Sequence, residues 1–167
     1  MIDPGFARTM ARYNRWQNES LYGAAGALSD DERRRDRGAF FKSIHATLCH
    51  IYWADNMWMS RFSDVAKPEV SIPGSTTFVE KWDDLTEKRA AFDARIVAWA
   101  DGLDAAALSG DLRWFSRAAQ RDVVQPRWVA VAHFFNHQTH HRGQVHAMLT
   151  AAGSKPADTD FVMMQPA

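Results

Sequence analysis

Apolar residues recur at spacings of three and four along four long segments of the chain, a pattern typical of helices that bury one face. The predicted helices run from Asp3 to about Leu28, over about 39–62, from Thr77 to Leu103, and from Pro126 to Gly153. We find no internal repeat or low-complexity segment in the sequence. The pattern therefore predicts an all-α fold in which four helices form a bundle.

Capping residues mark the ends of three predicted helices. Asp3 is a favourable N-cap and precedes Pro4, which suits the first helical position. Thr77 and Glu80 have the spacing of a capping box, which predicts the start of the third helix. Gly153 suits the left-handed position that follows a helix.

The segments between the helices differ in length and composition. Residues 29–38 are polar and predict a simple connection. Residues 63–76 contain two prolines and a glycine, and they reach roughly 46 Å when extended. This long connection can return along a ~40 Å helix, so the second and third helices can run parallel. Residues 111–125 predict a short β-hairpin that turns near 118–120. We expect residues 1–167 to form one domain.

Three polar residues lie within or near the apolar stripes. His50 lies on the apolar face of the second predicted helix, whereas His45 lies about 140° away, so we expect only His50 to face inward. Arg89 interrupts the heptad stripe of the third helix. We expect its side chain to extend to solvent; the alternative is that it reaches a polar cavity and meets an anionic ligand.

Composition and charge exclude several classes of protein. Twenty basic and twenty acidic residues give a formal net charge of +0, so no long-range positive field attracts nucleic acid. Cys49 is the only cysteine, which suits a reducing compartment. No apolar run is long enough to span a bilayer, and the first residues lack the apolar core of a signal peptide. We expect a cytoplasmic protein with neither a membrane nor a nucleic-acid partner.

Histidines are concentrated in the fourth predicted helix, within the segment HFFNHQTHHRGQVH at 133–146. His137 and His141 are one turn apart on the apolar face, so both rings can bind one metal ion. The residue after His137 is Gln138, not the glutamate that serves as the base of helix-borne zinc proteases, which disfavours that class. Inward-facing His50 provides a third nitrogen. We predict one divalent metal ion, Zn²⁺ or Ni²⁺, on His50, His137 and His141; the alternative is that these histidines form hydrogen bonds in the core.

A metal ion with three protein ligands keeps coordination positions open, as catalytic sites do. The open position can hold water, a thiolate or a carboxylate. We find no inward acidic residue one turn from the histidines, so the sequence assigns no catalytic base. His133, His140 and His146 lie away from the centre of the pair, and we do not expect them to bind the metal.

A second apolar stripe on the fourth helix points away from the histidines and contains Trp128, Val131, Phe135 and Leu149. A helix that is apolar on two sides is enclosed either by its own bundle or by a second subunit. We expect a homodimer.

Three segments of the sequence are similar to those of a known family: YNRWQNESL at 13–21, HIYWADNMWMSRF at 50–62 and HFFNHQTHHRGQVHAML at 133–149. In these segments the sequence resembles the DinB and YfiT-like family of bundle proteins. The resemblance implies an up-down-down-up four-helix bundle that is usually dimeric, with metal ligands at His50, His137 and His141.

The resemblance also indicates a type of reaction. Members of the wider superfamily resemble metal-dependent transferases and isomerases that use a low-molecular-weight thiol. We therefore expect a metal-dependent transferase or hydrolase that acts on a small electrophilic molecule in stress response or detoxification. The alternative is a non-enzymatic dimer in which the metal has a structural role.

Overall fold

Four long helices account for most of the fold in the computed structural model, which describes residues 1–164. They are α1 (Pro4–Gly26), α3 (Ile44–Phe62), α4 (Trp82–Asp101) and α5 (Arg127–Ala151), and a short helix, α2 (Asp30–Arg34), follows α1. Two strands, β1 (Asp111–Ser116) and β2 (Arg121–Pro126), precede α5. Three short 3-10 segments are Ile72–Thr77, Ala106–Leu108 and Phe161–Met163. The chain is therefore mostly helical, with one small antiparallel sheet.

Local sequence determines several boundaries as predicted. The Asp3 carboxylate accepts a hydrogen bond of 2.7 Å from the Phe6 amide and caps α1. Gly153 has a φ of +83° just beyond α5, where a residue without Cβ adopts the left-handed conformation at least cost. The hairpin prediction is confirmed: β1 pairs with β2 in a register that joins Asp111 to Pro126 and Ser116 to Arg121.

Two predicted helix starts are wrong, and one predicted connection contains a short helix. The second long helix begins at Ile44, not near residue 39, because the Ser43 hydroxyl accepts a hydrogen bond from the Ala46 amide. The third begins at Trp82, because Thr77 belongs to a 3-10 segment in which its hydroxyl donates to the Gly74 carbonyl. The polar connection at 29–38 contains α2.

The core lies between the long helices: α1 packs on α4 and α5, and α3 packs on α5 and on the segment Ile72–Thr77. The second apolar stripe of α5 is covered by the chain itself, since Val131, Phe135 and Leu149 are buried and the Phe135 ring lies 6.3 Å from the ring of Phe6. Covering this stripe does not require a second subunit. No helix within residues 1–164 is long and apolar enough to span a bilayer.

A buried polar layer joins the helices near the middle of the core. The expectation that Arg89 extends to solvent is wrong: the residue is 2% exposed and pairs with Asp55 at 2.6 Å and with Asp93 at 2.8 Å. Asn18 of α1 donates to Asp93, and Gln138 of α5 donates to Asp55. The anions that Arg89 meets are therefore two carboxylates of this chain.

Candidate metal centre

Two helices bring three histidines together. His137 and His141 lie one turn apart on α5, with ring centroids 4.5 Å apart. His50 lies on α3, and its Nε2 is 3.4 Å from Nε2 of His137. One ring nitrogen from each of the three residues lies within 4.8 Å of the other two. The structure thus places together the three residues that helical phase selects.

Burial keeps these imidazoles uncharged. His50 and His141 are 6% and 7% exposed, and His137 is partly buried. Burial, together with the nearby His141, lowers the pKa of His50 to about 4. Burial and the surrounding histidines lower the pKa of His137 to about 3, and burial lowers the pKa of His141. At pH 7 all three rings are neutral, which is the form that binds a metal ion.

Hydrogen bonds orient two of the three rings. His141 Nδ1–H donates to Gln144 Oε1 at 2.7 Å, and His50 Nδ1 forms a hydrogen bond of 2.8 Å with the Ser75 hydroxyl, which can accept its proton. With the proton on Nδ1, the lone pair of each of these two rings is on Nε2. His137 Nδ1 is buried and has no hydrogen-bond partner among residues 1–164.

One pair of nitrogens in the cluster has the spacing of two ligands on a divalent metal ion. Two nitrogens about 2.0–2.1 Å from a tetrahedral ion lie about 3.3–3.4 Å apart, and the His50 and His137 Nε2 atoms have this separation. Neutral nitrogens also suit Zn²⁺ and Ni²⁺. His50, His137 and His141 could therefore hold one such ion.

Three other histidines lie outside this cluster. The expectation that His45 does not face inward is wrong: it is 2% exposed, and its Nε2–H donates to the Val79 carbonyl at 3.1 Å. His133 and His140 are exposed, with rings 5.9 Å from His137 and 4.8 Å from His141. Neither contributes a nitrogen to the cluster.

A cavity of about 460 Å³ opens beside the cluster. His50 and His137 line it. The remaining walls come from α3, from His133 of α5, from the connection before α4, and from β1 with its turn. This volume is in the range of small-molecule sites, so a ligand in the cavity can reach two of the three histidines.

Comparison with known proteins agrees with the fold. Residues 1–166 match the DinB family. The chain belongs to this family. Protein DinB of Bacillus subtilis (strain 168) is 22% identical over 160 residues, which cover 93% of this chain and 91% of that protein. The crystal structure of a DinB-like protein from Bacillus cereus is similar with a TM-score of 0.62 and 17% identity, and the match covers 86% of this chain and 90% of that one. At this identity the structural likeness shows the fold alone.

Three residues that surround the cluster of this DinB-family chain were not predicted from its sequence. Phe41 stacks on His50 with ring centroids 4.0 Å apart, and it lies in the loop before α3, not in a helix. Ser75 comes from a segment without periodicity, so no sequence pattern indicates its contact with His50. Gln144 lies three residues after His141 on the same helix, and that spacing could have indicated the contact.

The acidic residue that follows His50 on α3 already has other partners. Asp55 is fully buried on α3, five residues after His50. One oxygen accepts a hydrogen bond from Gln138 and the other pairs with Arg89. Burial raises the pKa of Asp55, while Arg89 and Gln138 favour its ionised form. Asp55 therefore supports the helices and is not a free base at the cluster.

Proposed function

We propose that this DinB-family chain is a metal-dependent enzyme in which His50, His137 and His141 hold one Zn²⁺ or Ni²⁺ ion. The observation that carries the proposal is the convergence of nitrogens from three neutral imidazoles within 4.8 Å, beside a cavity. Ring nitrogens that converge in this way can bind one cation, and the low pKa values of His50 and His137 keep both rings in the neutral form that binds a metal ion.

The proposed reaction is attack on a small electrophilic molecule. A metal ion held by three histidines would lower the pKa of a water or thiol bound at its open position and so provide a nucleophile near neutral pH. Ser75 and Gln144 hold two of the histidine rings in place. The indole and aliphatic side chains of the cavity wall would displace water from around a bound ligand. We propose a transferase that uses a low-molecular-weight thiol, or a hydrolase, in stress response or detoxification.

Direct contacts between the helices favour an enzyme over a protein with a structural metal. Besides the histidines, α3 and α5 are joined by the hydrogen bond from Gln138 to Asp55 and by the contact between Phe62 and Phe134. We therefore expect the chain to remain folded after chelation. Circular dichroism in the presence of EDTA tests this; loss of the helical signal at 25 °C would favour the structural metal.

Elemental analysis of protein purified without a metal-affinity tag tests the metal site. We expect about one divalent ion per chain, lost in His50→Ala and His137→Ala. His140→Ala is the matched control, because His140 is an exposed histidine on the same helix as His137. Wild-type protein that contains no metal and takes up neither Zn²⁺ nor Ni²⁺ contradicts the proposal.

Cobalt substitution tests the thiol. We expect a low-molecular-weight thiol such as cysteine to give a thiolate-to-cobalt charge-transfer band with the Co²⁺-loaded protein, and no band with His50→Ala. If no thiol of this class changes the spectrum, the hydrolase is favoured over the transferase.

A homodimer and the up-down-down-up order of the four long helices belong to the same proposal, since family resemblance supports both. Light scattering coupled to size-exclusion chromatography measures the molar mass of the protein in solution and so tests the dimer. We expect twice the chain mass of 18.9 kDa, and a monomeric mass at micromolar concentration would contradict the dimer.

A further inference from the structure

Among residues 1–164, three cationic side chains and no acidic one line the cavity beside the histidines. The cations are Arg61 at the end of α3, Lys67 in the connection and Arg117 in the hairpin turn. The whole chain has equal numbers of acidic and basic residues. The cavity therefore differs from the rest of the protein in favouring an anionic ligand.

Arg61 is the cation that the fold places most firmly in this cavity. Its guanidinium carbon lies 4.3 Å from the ring centre of Trp58 and 5.3 Å from that of Trp114. The residue is half-buried, and among residues 1–164 no carboxylate pairs with it. Arg89, by contrast, is paired with two aspartates. Removal of a cation from water without a counter-charge is unfavourable, and a bound anion offsets that cost.

The remaining walls are flat and apolar. Trp53, Trp58 and Trp114 contribute indole rings to the lining, and Met57 and Ile72 contribute aliphatic surface. Indole faces bind planar ligands by stacking, with ring centroids about 4.5–7 Å apart. A cavity of about 460 Å³ accommodates a ligand of one or two rings.

A row of contacts connects the histidine cluster to Arg61. The His137 ring lies 5.9 Å from the ring of His133, which lies 4.9 Å from that of Trp58. Arg61 stacks on Trp58. A ligand whose anionic group contacts Arg61 therefore extends its other end along the aromatic wall towards His137.

The geometry points to a planar apolar carboxylate as the substrate class, with its carboxylate on Arg61 and its reactive end at His50 and His137. Guanidinium and carboxylate groups match in shape and charge and form paired hydrogen bonds. The position of the reactive end rests on the proposed function. Binding of the carboxylate does not depend on the proposed function, because Arg61 and the tryptophans form that part of the cavity without a metal.

Fluorescence titration of the full-length protein tests the assignment. The probes are 2-naphthoate and the neutral analogue 2-naphthalenemethanol, added to EDTA-treated protein so that the carboxylate cannot bind a metal. We expect quenching of tryptophan emission by both, with naphthoate bound at least about tenfold more tightly, as one charge-assisted hydrogen bond provides. In Arg61→Gln most of this preference should be lost, although Lys67 and Arg117 remain, while binding of the alcohol is unchanged.

Two further variants control the experiment. Arg113→Gln removes an exposed arginine of β1 outside the cavity lining and should keep the wild-type preference. Arg61→Lys keeps the charge and should keep part of the preference. Equal affinities in wild-type protein, absence of binding, or an undiminished preference in Arg61→Gln each overturn the assignment. Zn²⁺ uptake measured on the same preparation reports separately on the proposed function.

Discussion

Replacement of Arg89 by Met should greatly destabilise the fold. Arg89 is 2% exposed and pairs with Asp55 and Asp93, which are themselves buried. Methionine fills much of the arginine volume but leaves two carboxylates without their cation, and hydrogen bonds from Gln138 and Asn18 compensate only in part. Removal of one partner of a buried ion pair costs roughly 3–5 kcal/mol. We expect a loss of this size in the free energy of unfolding.

Urea unfolding followed by tryptophan fluorescence measures this loss. Arg95→Met is the matched control, because Arg95 pairs with Asp64 at a similar distance of 2.8 Å but at the surface, where the side chains are 46% and 90% exposed. Solvent screens that pair, so the control should lose several-fold less stability. If Arg89→Met loses no more than Arg95→Met at an unchanged m-value, the buried pair does not stabilise the fold as argued.

The pH dependence identifies the cause of the loss. Without Arg89, burial raises the pKa of Asp55 further above its value of about 3.9 in the unfolded chain. The folded variant then binds protons more readily than the unfolded variant, so its stability rises as the pH falls. The deficit relative to wild type should be largest at pH 8 and should shrink towards pH 5. A deficit that is constant over this range would indicate lost packing instead of unpaired charge.

Three further predictions concern the histidines and the end of α5. Ser75→Ala should weaken Zn²⁺ binding by about 10–100-fold in calorimetric titration, because His50 loses its hydrogen-bond partner. Ser60→Ala is the control: it removes a hydroxyl from α3, the helix of His50, and should leave Zn²⁺ binding unchanged. Metal-free wild-type protein should lose about 2 kcal/mol more stability than His50→Gln between pH 7.5 and pH 5 in urea unfolding. In the unfolded chain His50 has a pKa of about 6.5 and takes up a proton over this range, whereas in the folded chain its pKa is about 4 and it stays neutral. If the stabilities of the two proteins fall by the same amount between pH 7.5 and pH 5, the prediction is contradicted. Gly153→Ala should cost about 1 kcal/mol in thermal unfolding, because its φ is +83°; no loss would show that the helix end relaxes.

Sequence patterns predicted the features of the fold that depend on neighbouring residues. The Asp3 cap and the left-handed Gly153 need only their own helix end, and both occur as expected. Thr77 matched a capping box but lies in a 3-10 segment that packs against α3, so tertiary contacts decided its conformation. Arg89 was misplaced because one of its counter-charges, Asp55, lies 34 residues away on another helix.

The candidate site was predictable to the extent that helical geometry determines it. A period of 3.6 residues fixes the direction of each side chain, which was sufficient to select His50, His137 and His141. Ser75 and Phe41 come from loops, where no period relates position to direction. The metal, the thiol and the substrate depend on chemistry that residue spacing does not encode.

The division of the site between helices and loops has an evolutionary consequence. The three histidines are carried by α3 and α5, whose packing involves the whole core, whereas Trp114 and Ile72 of the cavity wall belong to a surface hairpin and a connection. Surface loops accept substitutions, insertions and deletions more readily than packed helices. Descendants of one ancestor can therefore diverge in the molecules they select while retaining the same reactive centre.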